Sequence, residues 1–506
     1  MPDLAQPVDH VALQARLGPE RLAAVDLASG RRWTYAQLNR AIGACARGLR
    51  EDYGCRHGDR VASLARNRVE LAVLHLACAR LGLIYAPLNW RLSHPEIAIL
   101  LEDAEPVVLF GDTELERVGL AGVSLDRLAD EIDNAQPLAP EPVDAQVPSL
   151  LLFTSGTSGR PKGVLLSERN IEQTAINFGL LGCVDRRSVF LIDSPMFHII
   201  GLISSLRPAF MFGGAILVSD AFQPARTLAR MGDAALGVTH YFCVPQMAAM
   251  LREQPGFDPA QLRGLTAIFT GGAPHPAPAI RAWLADGIPV ADGFGMSEAG
   301  TVFGMPVAPA LIDAKAGSAG VSTPGVESRI VDADDNDCSP GVAGELLLRG
   351  PNIFSGYWRR PEETAAAFTE DGWFRTGDIA LRDADGFHWL VDRKKDMFIS
   401  GGENVYPAEI EAALSGHPGL AEFAVVGVPD SQWGEVGVCV LVAAAGQTVA
   451  IEVLHAHLGD RLARYKLPQR YVFAEALPRT GSGKVKKAEL RRWIALGATG
   501  PAVPPA

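Results

Sequence analysis

What constrains this chain most is a rhythm. Short, wholly apolar runs alternate with stretches in which apolar residues recur every three or four positions. Val189–Ile192, Ala215–Val218 and Ala267–Thr270 are too short for buried helices and read as strands. Val107–Phe110 reads the same way. Between such runs lie helical patterns. Residues 34–50 place Leu38, Ile42, Cys45, Ala46 and Leu49 on one stripe. Ser93 and Glu96, with Pro95 between them, form a capping-box signature ahead of Ile97, Leu100 and Leu101. Apolar strands without polar alternation must be covered on both faces, which predicts an α/β fold with largely parallel sheets.

The texture changes past residue 320. Val326–Val331, Gly344–Leu348 and Phe387–Val391 are strand candidates between Gly, Pro and Asp turns, predicting a small β-rich subdomain. A helix from Glu409 precedes the apolar run Phe423–Val428, and Ile451–Arg464 has helical spacing. Together these make an α+β unit of about 110 residues, small-domain size. Gly497–Ala506 has the composition of a frayed end, and no internal repeat is visible.

Charge and cysteine usage narrow the function classes. A net charge of −12 over 506 residues argues against general nucleic-acid binding. The seven cysteines contain no CxxC pair and no regular spacing, so neither a disulfide framework nor a structural zinc site is expected. The start has neither a basic nor an apolar leader segment, and the longest strongly apolar stretches, such as Ala209–Val218, fall short of a membrane span. The expectation is a cytoplasmic protein with no integral membrane contact; peripheral contact and homo-oligomer formation stay open.

The most chemically suggestive segment follows the apolar strand Leu150–Phe153. It reads Thr154, Ser155, Gly156, Thr157, Ser158, Gly159, Arg160, Pro161, Lys162, Gly163. Glycines let backbone N–H groups converge on an anion, four hydroxyls add donors, and Lys162 adds a mobile charge. The order differs from a Walker A loop, in which Ser or Thr follows the lysine. Taken alone, the segment is either a phosphate cradle or a polar surface turn.

Further motifs follow in order: Pro195-Met196-Phe197-His198, Gly271-Gly272-Ala273-Pro274, Asp292-Gly293-Phe294-Gly295-Met296-Ser297-Glu298, Trp373–Asp378, Asp392-Arg393-Lys394-Lys395-Asp396 and Pro478–Lys484. With the 154–163 loop, this series resembles the adenylate-forming superfamily of acyl-CoA synthetases, firefly-type luciferases and peptide-synthetase adenylation domains. The resemblance implies two domains, 1–391 carrying the ATP and acid sites and 392–506 forming a mobile α+β lid, with a hinge at Asp392.

It also implies roles. Thr154, Ser155, Gly156, Thr157, Ser158, Gly159 and Lys162 would take the phosphates. Gly272, Ala273, Pro274, Asp292, Gly293, Phe294, Gly295, Met296 and Ser297 would surround the adenine side. Glu298 would hold Mg²⁺, a cation that prefers oxygen donors. Phe294 and Ser297 stand where the family usually has Tyr and Thr, keeping an aromatic face and a hydroxyl. Asp378 would accept from the ribose hydroxyls, with Arg393 in support. Lys484 would bridge the substrate carboxylate and the α-phosphate. Rotation about Asp392 would then withdraw it and bring Gly401 and Gly402 beside the pantetheine arm of CoA.

His198, Ile199, Phe242 and Val302 would line the acid site. Its mostly apolar character predicts a hydrophobic monocarboxylic acid, either fatty or aryl/hydroxycinnamic. The expected activity is an ATP- and Mg²⁺-dependent acid–CoA ligase. A carrier-protein-loading enzyme, a luciferase-like oxidoreductase and a non-catalytic nucleotide binder are the alternatives.

Overall fold

The computed structural model describes residues 8–154, 161–273, 275–393, 396–400, 403–430, 433–459, 461–462, 466–480 and 483–497. The chain divides into two compact units. One comprises the chain up to Glu327 together with Leu348–Phe374; the other comprises Ser328–Leu347 and the chain from Arg375 onward.

The first unit is built on two sheets. Among the described residues the larger has nine strands, with Val290–Met296, Ala267–Thr270, His240–Cys243, Val189–Ile192, Ala215–Val218 and Leu22–Asp26 as adjacent parallel neighbours. The predicted strands Val189–Ile192, Ala215–Val218 and Ala267–Thr270 appear with those bounds. They are buried on both faces, as their unbroken apolar character requires; Ile216 and Val218 have no exposed surface. Antiparallel strands close both edges, Gly300–Gly304 and Val321–Ser322 at one and Arg32–Thr34 at the other.

The second sheet centres on the parallel strands Ile84–Pro87, Arg60–Leu64 and Val108–Gly111. On one side it continues through Pro148–Thr154 into the antiparallel strands Lys162–Ser167 and Gly356–Tyr357. The helix Tyr35–Glu51 starts at a Thr34–Gln37 capping box, and His94–Ala104 starts at the predicted Ser93–Glu96 box.

At the start of the second unit, Phe374–Arg382 and His388–Arg393 pair in a sheet that, among the described residues, also contains Glu327–Val331 and Gly344–Arg349. A second sheet is dominated by the long hairpin of Leu420–Asp430 and Gly434–Ala443. Strand periodicity splits its core in two: Val425 and Cys439 join Ile410 and Leu454, while Val426 and Val440 join Leu490. Two predicted bounds need correction. The helix placed from Glu409 begins at Pro407, because proline is tolerated in a first helical turn. The helix predicted to reach Arg464 is described over Ile451–Gly459; Arg461 and Leu462 are no longer helical, and Arg464 lies outside the described residues. Among the described residues no helix is long and apolar enough to cross a membrane.

Candidate functional site

The Ser/Thr/Gly segment links two antiparallel strands of the second sheet. Thr154 ends one strand and Lys162 opens the next, and the two are paired in register. Ser155–Gly159 lie outside the described residues, as does Pro274. Lys162 is held from one side: its ammonium pairs with Glu363 and lies 4.8 Å from the centre of the Tyr357 ring.

Glu298 follows the strand Val290–Met296 at the turn into Gly300–Gly304. It is nearly buried, and the Tyr357 hydroxyl donates to its Oε1 at 3.2 Å. A carboxylate so placed suits a hard cation such as Mg²⁺. The backbone around it is tight. A Cβ on Gly295 would lie 2.3 Å from the Gly300 carbonyl oxygen, so this position requires glycine. Phe294 packs at a tilt on Phe303, ring centres 5.8 Å apart.

Asp292 is buried. Thr270 Oγ1 donates to its Oδ1 at 2.8 Å and lies 3.0 Å from His275 Nδ1. Burial pushes Asp292 up to about 7, against hydrogen bonds from Thr270 and from the backbone N–H groups of Gly293 and His275. Burial also lowers His275 to about 4, so its ring is neutral at pH 7. A hydroxyl that donates to Asp292 must accept from His275, which places the imidazole proton on Nδ1.

The Gly271-Gly272 segment packs against the Gly293 carbonyl and against apolar side chains. A Cβ on Gly271 would be 3.5 Å from the Phe242 ring, and one on Gly272 would be 3.7 Å from Val244 and 3.8 Å from Ile200. Ile200 begins a single π-turn, Ile200–Ser204, directly after His198 and Ile199. Such wide turns recur at functional sites. Phe242 stacks on Phe178 at 5.4 Å, and His198 sits 4.5 Å from Phe197 between ring centres. Val302 has no exposed surface.

In the second unit, Asp378 is buried, its backbone N–H donating to Thr376 Oγ1, and it stands opposite Arg393 in register. Asp392 is paired with Ile379. Gly401 and Gly402 lie outside the described residues. Lys484 is exposed at the end of a turn, with Thr480 N donating to its carbonyl at 2.8 Å. The base of that turn is fixed by Arg479, which donates to the Gly483 carbonyl and to Glu422.

Three residues of this neighbourhood escape sequence reasoning. Asn67 clamps the Pro195–His198 segment, donating to Ser194 O at 2.8 Å and accepting from Met196 N at 2.9 Å. Tyr357 and Glu363 reach Glu298 and Lys162 across long sequence separations. No local pattern marks any of the three; only the tertiary fold brings them in.

Comparison with known proteins agrees with these elements. Residues 11–358 match the family model described as AMP-binding enzyme, and residues 409–484 match AMP-binding enzyme C-terminal domain. A feruloyl-CoA synthase from an Amycolatopsis species is 39% identical over 484 residues, covering 95% of this chain and 97% of that protein. An indoleacetate–CoA ligase of Aromatoleum aromaticum is 38% identical over 481 residues, covering 91% and 93%. Among solved structures, o-succinylbenzoate CoA synthetase from Bacillus subtilis in complex with an acyl-adenylate intermediate has a TM-score of 0.85. It is 32% identical and covers 96% of this chain and 98% of that one. The same enzyme has been solved in complex with ATP and magnesium ion.

Proposed function

This chain belongs to the AMP-binding enzyme family and is an AMP-forming acid–CoA ligase, and from that premise we propose that it activates a hydrophobic monocarboxylic acid. The observation that carries this reading is the set of apolar side chains, Ile200, Phe242 and Val244, against the Gly271-Gly272 segment, with Ile200 two residues on from His198 in the chain. Two relatives of similar length are named for ferulate and indoleacetate, acids that pair a carboxylate with an aromatic body. Aryl acids therefore come first and fatty acids second.

The reaction balances as follows. A carboxylate oxygen attacks the α-phosphorus of ATP and pyrophosphate leaves. The CoA thiol then attacks the acyl carbon, and AMP leaves with the carboxylate-derived oxygen. All the reactants are anionic, so charge neutralisation and positioning dominate.

Thr154 and the hydroxyls of the following loop, with Lys162, take the β- and γ-phosphates. Glu298 would hold the magnesium that accompanies ATP, which supplies charge neutralisation at those phosphates. Phe294 and the Gly272–Pro274 loop carry the adenine, with Asp292 bracing that loop at the base edge. Asp378 and Arg393 serve the ribose. Lys484 stabilises charge developing between carboxylate and α-phosphate. Asp392 supplies the articulation that exchanges it for Gly401 and Gly402 in thioester formation. His198 orients the acid. The experiment is a panel of ferulate, indoleacetate, medium- and long-chain fatty acids and malonate with ATP, Mg²⁺ and CoA, scored by AMP release. Malonate as the best substrate would overturn the hydrophobic assignment.

A further inference from the structure

Tyr357 stands between two groups of opposite charge. Its hydroxyl donates to Glu298 Oε1 at 3.2 Å, and its ring face carries the Lys162 ammonium at 4.8 Å. A ring can do both at once, because the π face attracts a cation while the phenol O–H points outward in the ring plane. Its position is fixed on several sides. The Tyr357 backbone N–H donates to Thr364 Oγ1 at 2.9 Å, and Phe354 packs edge-on at 4.8 Å.

The surrounding segment is stitched to both partners. Phe354 N donates to the Glu298 carbonyl at 2.8 Å. Trp358 N donates to the Gly163 carbonyl at 2.7 Å, next to Lys162, and Gly356–Tyr357 pairs antiparallel with Val164 and Leu165. In the first turn of the helix Pro361–Ala366, Glu363 meets the Lys162 ammonium and also lies near Arg360.

We infer that Tyr357 is a positioning residue coupling the magnesium-facing carboxylate Glu298 to the phosphate-facing lysine Lys162, and that Glu363 is the counter-ion Lys162 leaves when the triphosphate binds. This rests on the phosphate and metal roles proposed above for those two residues. Glu363 then competes with the incoming anion, while Tyr357 keeps Glu298 aimed wherever the lysine goes. The Lys162–Glu363 pair is partly exposed, side chains 24% and 41%, so the competition is modest.

The test is direct binding of pyrophosphate and of ATP by calorimetry on the full chain, with and without Mg²⁺, beside thermal melts. Glu363→Gln should tighten pyrophosphate about two- to fivefold, the range of an exposed ion pair. Tightening is the opposite of what general damage would do. Tyr357→Phe keeps the ring and loses the hydroxyl. It should weaken ATP binding several-fold more in the presence of limiting Mg²⁺ than in its absence, raising the Mg²⁺ needed for tight ATP binding.

Lys162→Ala separates the two layers of the reading. If Lys162→Ala binds pyrophosphate as the wild type does, the phosphate role of Lys162 is wrong and the inference falls with it. If Lys162→Ala binds weakly, yet Glu363→Gln does not tighten binding or Tyr357→Phe leaves the Mg²⁺ dependence in place, the coupling alone is overturned.

Discussion

Replacing Arg207 with leucine strands a buried carboxylate between the two segments that frame the site. Glu168 opens the helix Glu168–Leu181, directly after the strand that begins at Lys162. Arg207 lies on Leu206–Phe212, directly after the π-turn that follows His198. The two side chains are each 6% exposed and joined by a 2.5 Å hydrogen bond from Nη2 to Oε2. Ser149 donates to Oε1 at 2.7 Å, and Arg207 Nη1 lies 3.3 Å from His75 Nε2. Burial by itself pushes Glu168 upward; Arg207, then His75, outweigh it and hold the carboxyl at about 2.

Removing one partner of such a pair costs about 3–5 kcal/mol, because the other charge stays buried. That is a large share of the ~5–15 kcal/mol typical of a domain. Urea unfolding at pH 7 should show this loss for Arg207→Leu. The double variant Glu168→Gln/Arg207→Leu should regain at least half of it, since no buried charge remains.

The pH dependence has a fixed sign. The folded value of Glu168 is depressed, so its contribution is complete above the unfolded value of ~4.3 and is lost as pH falls toward 2. The stability difference between wild type and Glu168→Gln should therefore be flat from about pH 7 to 5 and shrink below. An Arg207→Leu protein within ~0.5 kcal/mol of wild type, or a double variant as unstable as the sum of the singles, would refute the reasoning.

Other expectations follow from the same structure. Lys484→Ala should abolish acid-dependent ATP–pyrophosphate exchange yet still convert a supplied acyl-adenylate plus CoA; equal loss in both assays would remove the lysine from its assigned step. Gly320 has φ +92°, and a Cβ there would sit 2.1 Å from the Gly304 carbonyl carbon and oxygen. Gly320→Ala should thus cost several kcal/mol, seen as a lowered melting temperature; an unchanged melt would contradict it. Asp292 is raised in the folded state to about 7, so its contribution is greatest below the unfolded value of ~3.9 and declines as pH rises through 7. The stability of wild type relative to Asp292→Asn should fall between about pH 4 and 7, and a pH-independent difference would show that the carboxyl titrates normally.

The sequence made much of this legible, for definite reasons. Four-residue apolar runs announced the central parallel strands because burial on both faces leaves no other pattern. Ser93–Glu96 announced a helix start because the capping box is a local hydrogen-bond exchange. The fold class followed from the alternation of apolar runs with helical patterns, and the family from motif order. Non-local geometry was not legible. The Tyr357–Glu298 bond, the Asn67 clamp and the Glu168–Arg207 pair join residues that no spacing rule connects. The phosphate segment was read as a loop after a strand, and its continuation into an antiparallel partner at Lys162–Ser167 depended on register rather than on composition. One helix start was missed where a proline sets it, at Pro407.

The most direct measurement of the reaction course uses a carboxylic acid labelled with oxygen-18 in its carboxyl group. Turnover with ATP and CoA is followed by mass spectrometry of the released AMP. Passage through an acyl-adenylate predicts one labelled oxygen in the phosphate of AMP and none in pyrophosphate. Unlabelled AMP, or formation of ADP and phosphate in its place, would contradict it.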